Sequence, residues 1–259
     1  MPEFDTLTFA QSGPVTSIVL DRPDAANGLN DTMTRELAEA AALCDTDATK
    51  VVTLTGAGRF FSAGGDLKAM AAAPDPGAFV KGIADDLHRA MSTFARMDAV
   101  LITAVNGVAA GAGFPLGVSG DLVLAAESAS FTMAYTKAGL SPDGSSSYVL
   151  PRLVGLRRTQ ELMITNRVLT AAEALDWGLV TAVVPDADLP TRLQELAAKT
   201  AAGARGSQSA VKRLLLTTYA ARFEDQLDYE AQLISECANS ADGKEGINAF
   251  LGKRKPEFS

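Results

Sequence analysis

Apolar and polar residues follow two different periods along the first half of the chain. Short apolar runs with the length of buried β-strands recur there, at residues 15–20, 51–55, 100–105 and 122–125. Between the second and third runs, apolar residues follow the spacing of one buried helix face, at Ile83, Leu87, Met91, Phe94 and Met97.

Turn and cap residues add two further elements. A Gly13-Pro14 turn predicts a hairpin of residues 7–9 and 15–20. Asn30 or Asp31 can cap a helix that runs to residue 43.

The second half of the chain has a different pattern. Strand signals fade after about residue 144, and helical segments follow in succession, at residues 157–166, 171–177, 189–202, 207–219, 222–238 and 243–251. Strands first and helices last predict an α/β core with a helical C-terminal extension.

The composition is that of a folded, acidic protein. The 259 residues are 47% hydrophobic, and the formal net charge is −8. Because nucleic-acid and anionic membrane surfaces need excess Lys and Arg, we expect neither as a partner. No stretch approaches the ~20 apolar residues of a spanning helix, and the N-terminus lacks a basic start. We therefore expect a cytoplasmic protein in which Cys44 and Cys237 are free thiols.

Several common catalytic motifs are missing from the sequence. The segment 56–58 resembles a dinucleotide fingerprint, but Phe61 stands where its third glycine belongs. The segment 111–113 fails in the same way, with Leu116 at that position. His88 is the only histidine, so a zinc site or a Ser-His-Asp triad is poorly supplied, and we predict no metal.

Two loops of small residues are the most informative feature. Residues 62–66 and 106–113 consist mostly of Gly, Ala and Ser, and each leads from a predicted strand towards a helix. Small residues allow a ligand to approach main-chain N–H groups closely. Two such donors on one carbonyl oxygen would form an oxyanion hole, whereas tight turns in a close-packed fold would explain the same residues without any function.

The residues of these loops carry a family resemblance. Arg59-Phe60-Phe61-Ser62-Ala63-Gly64-Gly65-Asp66-Leu67 and Ala104-Val105-Asn106-Gly107-Val108-Ala109-Ala110-Gly111-Ala112-Gly113 closely resemble the two oxyanion-loop signatures of the crotonase (enoyl-CoA hydratase/isomerase) superfamily. Leu20-Asp21-Arg22-Pro23 with Asn27-Gly28-Leu29-Asn30 resembles its entry motif, with Gly28 where Ala is usual. Later landmarks at residues 155–158, 173–180 and 250–256 extend the resemblance over essentially the whole chain.

The resemblance implies a fold and a class of substrate. The fold is an α/β spiral of repeated ββα units over residues 1–195, followed by a C-terminal α-helical trimerisation region over residues 196–259. The substrate is an acyl-CoA thioester, with coenzyme A as part of the substrate and no other cofactor. The assembly is a homotrimer or a dimer of trimers.

The resemblance also implies a set of site residues. The amides of Gly65 and Ala112 bind the thioester oxygen, and Asp143 is the catalytic acid or base. Coenzyme A contacts fall on Arg22, Ala26, Ala63, Asp66, Leu67 and Lys253. The acyl pocket is expected to include Tyr135, Pro115, Phe114 and Met91.

The sequence departs from the hydratase pattern at two positions. The first hydratase glutamate is replaced by Pro115, and the second by Tyr135. Proline has no acid, and tyrosine titrates near ~10, so neither can be the carboxylate base that adds water to a double bond. Ordinary enoyl-CoA hydration is therefore not expected.

Asp143 matches the aspartate of relatives that lack hydratase chemistry, in which it serves as a proton-transfer base or a nucleophile. A local explanation is also open, because Pro142-Asp143-Gly144 is a typical Asx turn that would cap a helix starting near Ser145. The two roles are compatible. We favour an isomerase in which Asp143 moves a proton through a thioester enolate.

Two alternatives remain. Chlorobenzoyl-CoA dehalogenase resembles this chain in its later motifs, and its hydrolytic mechanism uses an aspartate nucleophile with a histidine base. Met91 takes the position of that histidine, and His88 lies one helical turn earlier, so a shifted base or a surface histidine are both open. The second alternative is a non-catalytic acyl-CoA-binding member, because two of the family's acids are missing.

Overall fold

The computed structural model describes residues 2–259. Within these residues, strands form two sheets. In chain order they are β1 (Leu7–Ser12), β2 (Val15–Leu20), β3 (Val51–Gly56), β4 (Phe60–Ser62), β5 (Val100–Val105), β6 (Val108–Ala110), β7 (Leu122–Ala126), β8 (Ser130–Thr132), β9 (Leu169–Thr170) and β10 (Ala182–Val184). The predicted hairpin and the four predicted buried strands are confirmed.

The larger sheet has six strands in the order β1-β2-β3-β5-β7-β10. Only the β1–β2 hairpin is antiparallel, and the remaining pairs are parallel. Parallel strands are covered on both faces, which explains why β5 is buried along its whole length and apolar at every position except Thr103.

The smaller sheet has the order β4-β6-β8-β9, and it brings the two loops together. β4 directly follows β3, and β6 directly follows β5, so these two strands of the large sheet each continue into a strand of the small sheet. β4 and β6 pair in parallel, with Phe60 opposite Val108 and Ser62 opposite Ala109. The loops that leave their carboxyl ends therefore start side by side.

The helices of the same residues follow in chain order. They are α1 (Asp31–Cys44), α2 (Leu67–Ala72), α3 (Pro76–Arg96), α4 (Gly113–Gly117), α5 (Ser146–Thr165), α6 (Ala171–Asp176), α7 (Leu189–Ala201), α8 (Arg205–Thr217), α9 (Phe223–Asn239) and α10 (Ala241–Leu251). Asn30 caps α1, because its side chain accepts a hydrogen bond from the Met33 N–H. The small residues from Gly111 to Val118 predict a helix, but α4 starts two residues later, because Gly111 has a positive φ of 52°.

The core lies between the large sheet and helices α1 and α3. Its largest fully buried side chains include Leu20, Leu54, Phe61 and Phe94. On the other side of the sheet, α7 packs Ala197 and Ala201 against Val51. The expected division of the chain at residue 195 falls within α7 and stays a prediction.

A buried ion pair fixes the first C-terminal helix to the core. Lys212 of α8 is 8% exposed, and its ammonium lies 2.9 Å from a carboxylate oxygen of Asp121. The same nitrogen donates hydrogen bonds to the carbonyls of Phe94 and Ala99. Burial raises the pKa of the Asp121 carboxyl, although Lys212 opposes this effect. Since a buried ammonium needs such partners, α8 is held in one position on its own chain.

The C-terminal helices also present apolar side chains to solvent, namely Leu215, Phe223, Leu227, Ile234, Ile247, Phe250 and Leu251. Of the apolar residues in this region, Leu233 is buried within the chain. No helix among residues 2–259 combines the length and apolar character needed to cross a membrane.

Candidate active site

A cavity of about 280 Å³ lies where the two loops meet helices α2 and α3. Both loops line it, and so does the segment that ends at Asp143. The wall formed by α2 and α3 is apolar: Leu67, Met70, Val80, Ile83, Ala84 and Leu87. A cavity with mostly apolar walls and a few converging polar groups is typical of a ligand site.

Main-chain contact between the loops requires glycine at position 64. Gly64 has a φ of 88°, and a Cβ there would lie 2.6 Å from the carbonyl oxygen of Ala110 and 3.1 Å from the nitrogen of Ala112. Both the conformation and the contact exclude a larger residue. The first loop is therefore pressed directly against the start of the second.

The first loop is held by the entry motif. The Asn27 side chain donates hydrogen bonds to the carbonyls of Ala57 and Phe60, at 2.9 Å and 2.8 Å. The Ser62 hydroxyl donates to the Asn27 carbonyl, and the Ala63 N–H donates to the Ala26 carbonyl. In the sequence, Asn27 was recognisable only as part of the entry motif with Gly28-Leu29-Asn30, and the structure shows that it holds the first loop.

The N–H groups of Gly65 and Ala112 are both unpaired within residues 2–259. Both residues line the cavity. Leu29 uses its own amide and carbonyl to bond Gly64 and Asp66, and this leaves the Gly65 N–H between them free. Two free amide donors that line one cavity are suited to bind an oxygen ligand.

Arg22 and Asp66 neutralise each other beside the first loop. The Arg22 guanidinium lies 3.1 Å from an Asp66 carboxylate oxygen, and Asp66 also caps α2 through the Lys68 and Ala69 N–H groups. Burial opposes ionisation of Asp66, but these hydrogen bonds and Arg22 together hold the pKa of its carboxyl below the usual value. Both residues support the loop and lie outside the cavity lining, and a coenzyme A contact by either stays a prediction.

Of the remaining residues expected to contact coenzyme A, some line the cavity and others lie outside it. Ala63 and Leu67 line it, whereas Ala26 lies behind the loop. Lys253 is exposed after the end of α10, outside the cavity lining, and its neighbour Arg254 is paired with Glu245. A coenzyme A contact by Lys253 stays a prediction that requires an adjacent subunit.

Three of the four expected pocket residues lie beneath the cavity lining. Phe114 is fully buried and packs against Phe131, with ring centroids 5.5 Å apart. A Cβ on Gly144 would lie 2.9 Å from Pro115 and 3.8 Å from the sulfur of Met91. Pro115 and Met91 thus support the turn that carries Asp143.

Tyr135 is the expected pocket residue that does line the cavity, and it contacts Asp143. Its hydroxyl donates a hydrogen bond of 2.5 Å to Asp143 Oδ1. Burial and the nearby Asp143 charge raise the pKa of Tyr135 well above its usual value. Tyr135 is therefore a neutral donor that fixes one carboxylate oxygen.

The Asp143 carboxylate is not a helix cap. The groups at the start of α5 that bond to Asp143, the N–H and hydroxyl of Ser146, both donate to its main-chain carbonyl, at 3.1 Å and 2.7 Å. The alternative explanation of Asp143 as an Asx cap is therefore wrong: Ser145 adopts a left-handed conformation with φ 61°, and the main chain closes the turn instead. The carboxylate faces the cavity.

His88 lies next to Asp143. Its Nε2 is 3.7 Å from Asp143 Oδ2 and accepts a hydrogen bond of 3.1 Å from the Gly144 N–H. His88 therefore lies against the turn that carries Asp143, outside the cavity lining, and its side chain is half exposed. The three-residue offset from Met91 was the only signal for this position.

A sequence model of the enoyl-CoA hydratase/isomerase family matches residues 10–259. The chain belongs to this family. It is 38% identical over 265 residues to 1,2-epoxyphenylacetyl-CoA isomerase of Escherichia coli K12, covering 100% of this chain and 99% of that protein. It is 35% identical to a Rhodobacter capsulatus protein named "Probable enoyl-CoA hydratase", covering 99% of this chain and 98% of the other.

Solved structures confirm the fold of this family member. Enoyl-CoA hydratase from Bacillus anthracis superposes with a TM-score of 0.92 at 31% identity, covering 98% of this chain and 99% of that chain. The predicted crotonase spiral with C-terminal helices is confirmed. The family acts on acyl-CoA thioesters, so the cavity belongs to an acyl-CoA enzyme.

Substitution of Gly64 tests the contact between the loops. We expect Gly64→Ala to lower the free energy of unfolding by about 1–3 kcal/mol for the backbone conformation alone, because alanine disfavours this φ. The contact with Ala110 adds to this cost. Urea unfolding measures the loss of stability, and an acyl-CoA binding assay measures the weaker binding that we expect when the loops are moved apart.

Gly82→Ala is the matched control, because a Cβ on this exposed α3 glycine meets nothing within 4 Å. It should stabilise the helix by about 0.5–1 kcal/mol and leave acyl-CoA binding unchanged. Equal stability and equal binding for both variants would contradict the role given to Gly64.

Proposed function

We propose that this enoyl-CoA hydratase/isomerase family member is an acyl-CoA isomerase that moves a proton, and with it a double bond, through a thioester enolate. The proposal rests on one observation. Asp143 is the only acidic side chain that lines the cavity in the described part of the chain, and the free amides of Gly65 and Ala112 line the same cavity.

The arrangement supports a reaction with one base. Asp143 removes a proton from a carbon next to the thioester, or from a carbon further along a conjugated chain. The electron pair moves towards the thioester oxygen, where the Gly65 and Ala112 amides stabilise the negative charge. The protonated Asp143 then returns the proton at another carbon, so the substrate is isomerised and the enzyme is unchanged.

The same residues argue against ordinary hydration. In the family, addition of water to a double bond uses two glutamates, and Pro115 and Tyr135 replace them here. Tyr135 cannot take the place of a carboxylate base, since its pKa is raised and its hydroxyl proton is donated to Asp143. The name of the Escherichia coli relative, an isomerase of an acyl-CoA, supports the same class of reaction.

One observation favours a second candidate, the hydrolytic mechanism with Asp143 as nucleophile. His88 Nε2 is within 3.7 Å of Asp143, where a base could activate water. However, the lone pair of that nitrogen accepts the Gly144 N–H, so this hydrogen bond would have to break before His88 could take a proton from water. We therefore favour the isomerase.

The proposed assembly is a homotrimer or a dimer of trimers in which no metal or redox cofactor takes part. The apolar side chains exposed on α8, α9 and α10 form more apolar surface than a monomer's free helices normally present. A symmetric assembly would bury them and could bring Lys253 of one subunit to the coenzyme A of another.

The central substitution is Asp143→Asn. The amide keeps an oxygen that can accept from Tyr135 but is no base, so deuterium exchange into a bound acyl-CoA should fall by about 10²–10⁴-fold. Affinity for the thioester should stay within a few-fold, because the amides of Gly65 and Ala112 are unchanged. Mass spectrometry after incubation with enoyl-, dienoyl- and aryl-CoA thioesters in heavy water measures the exchange.

Asp188→Asn is the control for this substitution, because Asp188 is exposed and lies outside the cavity lining. It should exchange protons at the wild-type rate. Near wild-type exchange by Asp143→Asn would show that another group is the base.

The oligomeric state gives an independent test of the proposed assembly. Light scattering at micromolar concentration should return three or six chain masses. Replacing the 72%-exposed Ile234 by Asp should lower that mass, while exposed polar Glu236→Gln should not. A monomer mass for the unmodified protein would refute the assembly.

A further inference from the structure

His88 and Gly144 form a hydrogen bond that connects helix α3 to the turn carrying Asp143. The two residues are 56 positions apart in sequence, and the Gly144 N–H donates to His88 Nε2 at 3.1 Å. Gly144 is buried and has a positive φ of 59°, with Pro115 beneath it. The turn can therefore move neither towards the core nor, while this bond is made, away from α3.

The direction of this hydrogen bond determines the form of the imidazole. A nitrogen that accepts an N–H has a free lone pair, so His88 is neutral with its proton on Nδ1. A protonated imidazole has two donors and no acceptor. It would lose the Gly144 N–H and turn its Nε2–H towards Asp143 Oδ2, now 3.7 Å away.

This change in His88 would affect the base because Asp143 has only one free carboxylate oxygen. Tyr135 already donates to Oδ1, so Oδ2 is the oxygen left to accept a substrate proton. A donor from His88 on Oδ2 would occupy the oxygen that has to accept the substrate proton.

On the basis of the proposed proton transfer, we propose that His88 is a positioning residue that holds the Asp143 turn only in its neutral Nδ1–H form, and that protonation of His88 switches the base off. It does not touch the reacting atoms. The rate should therefore require two deprotonated groups, Asp143 and His88, instead of one.

The charged groups near His88 are few. On its own helix, Asp85 lies one turn earlier and is paired with Lys81, and Arg89 is paired with Asp86. From the turn packed against α3, Asp143 is the carboxylate within 4.0 Å of the ring, and Tyr135 behind it is neutral. Asp85 also interacts with His88 through charge, but among the described residues Asp143 is the carboxylate that both lies within 4.0 Å of the ring and lines the cavity.

The tautomer can be measured without a substrate, because His88 is the only histidine in the chain. Histidine labelled with ¹⁵N gives one imidazole whose two nitrogens report their protonation in an NMR spectrum. At neutral pH we expect a protonated Nδ1 and an unprotonated, hydrogen-bonded Nε2. A proton on Nε2 in the resting protein would overturn the proposal, whatever the reaction is.

The pH profile of deuterium exchange tests the switch. On the acid side, the logarithm of the wild-type rate should fall with a slope of two per pH unit. His88→Gln keeps an acceptor oxygen for the Gly144 N–H but does not titrate, so it should retain the neutral-pH rate and fall with a slope of one. A slope that is the same in both proteins would overturn the proposal.

His88→Leu removes the acceptor and should lower kcat by about ten- to a hundredfold at every pH with little change in KM, since the base is then misplaced. A wild-type rate for this variant at neutral pH would also overturn the proposal. If the His88→Leu variant does not fold, the pH profile of His88→Gln still tests the proposed switch. Wild-type exchange that is absent, or that survives Asp143→Asn, would instead reject the isomerase itself.

Discussion

The contact between the two glycine-rich loops determines the geometry of the site. Gly64 touches Ala110 and Ala112 main chain to main chain, and no side chain larger than hydrogen can occupy that space. The parallel pairing of β4 and β6 delivers both loops to this point, and Asn27 and Ser62 hold the first loop in place. The free amide of Gly65 is a consequence, because Gly64 and Asp66 on either side of it are both bonded to Leu29, and the Ala112 amide of the second loop is free beside it. Such preorganised donors do not need to reorient when charge develops.

The second constraint is the small number of charges in the cavity. Its walls are apolar apart from the two amides and a few polar groups that include Asp143 and Tyr135. A single carboxylate, with one oxygen held by Tyr135, is suited to a reaction in which it removes a proton from the substrate and returns it to another carbon of the same molecule. The neighbouring His88 touches the turn instead of the cavity, and it therefore affects the base through position and charge.

Regular structure was predictable wherever periodicity was strong. The hairpin, the buried strands and α3 follow directly from apolar spacing, and the loops were recognisable from their small residues. The start of α4 was missed by two residues, because the left-handed conformation of Gly111 is set by the loop contact and not by propensity. The Asx cap at Asp143 was a sound local inference that tertiary contacts overrode, since Tyr135 took the carboxylate and the main chain closed the turn.

Contacts between distant segments could not be predicted in this way. No local pattern shows that His88 would meet Gly144, because their approach depends on how α3 packs beside the loops. For the same reason, Phe114, Pro115 and Met91 were expected in the pocket and lie beneath it, although motif position alone placed them close to the site. The position of a residue in a motif predicts that it lies near the site, whereas packing determines whether its side chain lines the cavity or lies behind the lining.

The most direct test of the central claim is the infrared carbonyl stretch of a bound acyl-CoA whose thioester carbon is labelled with ¹³C. Two amide donors on one oxygen weaken the carbonyl bond, so difference spectra should show the labelled band at a clearly lower frequency on the protein than in water. The shift should persist in Asp143→Asn, because the amides of Gly65 and Ala112 are intact there. A band that keeps its solution frequency in the saturated complex would contradict the account, since the thioester oxygen would then lie away from the two amides.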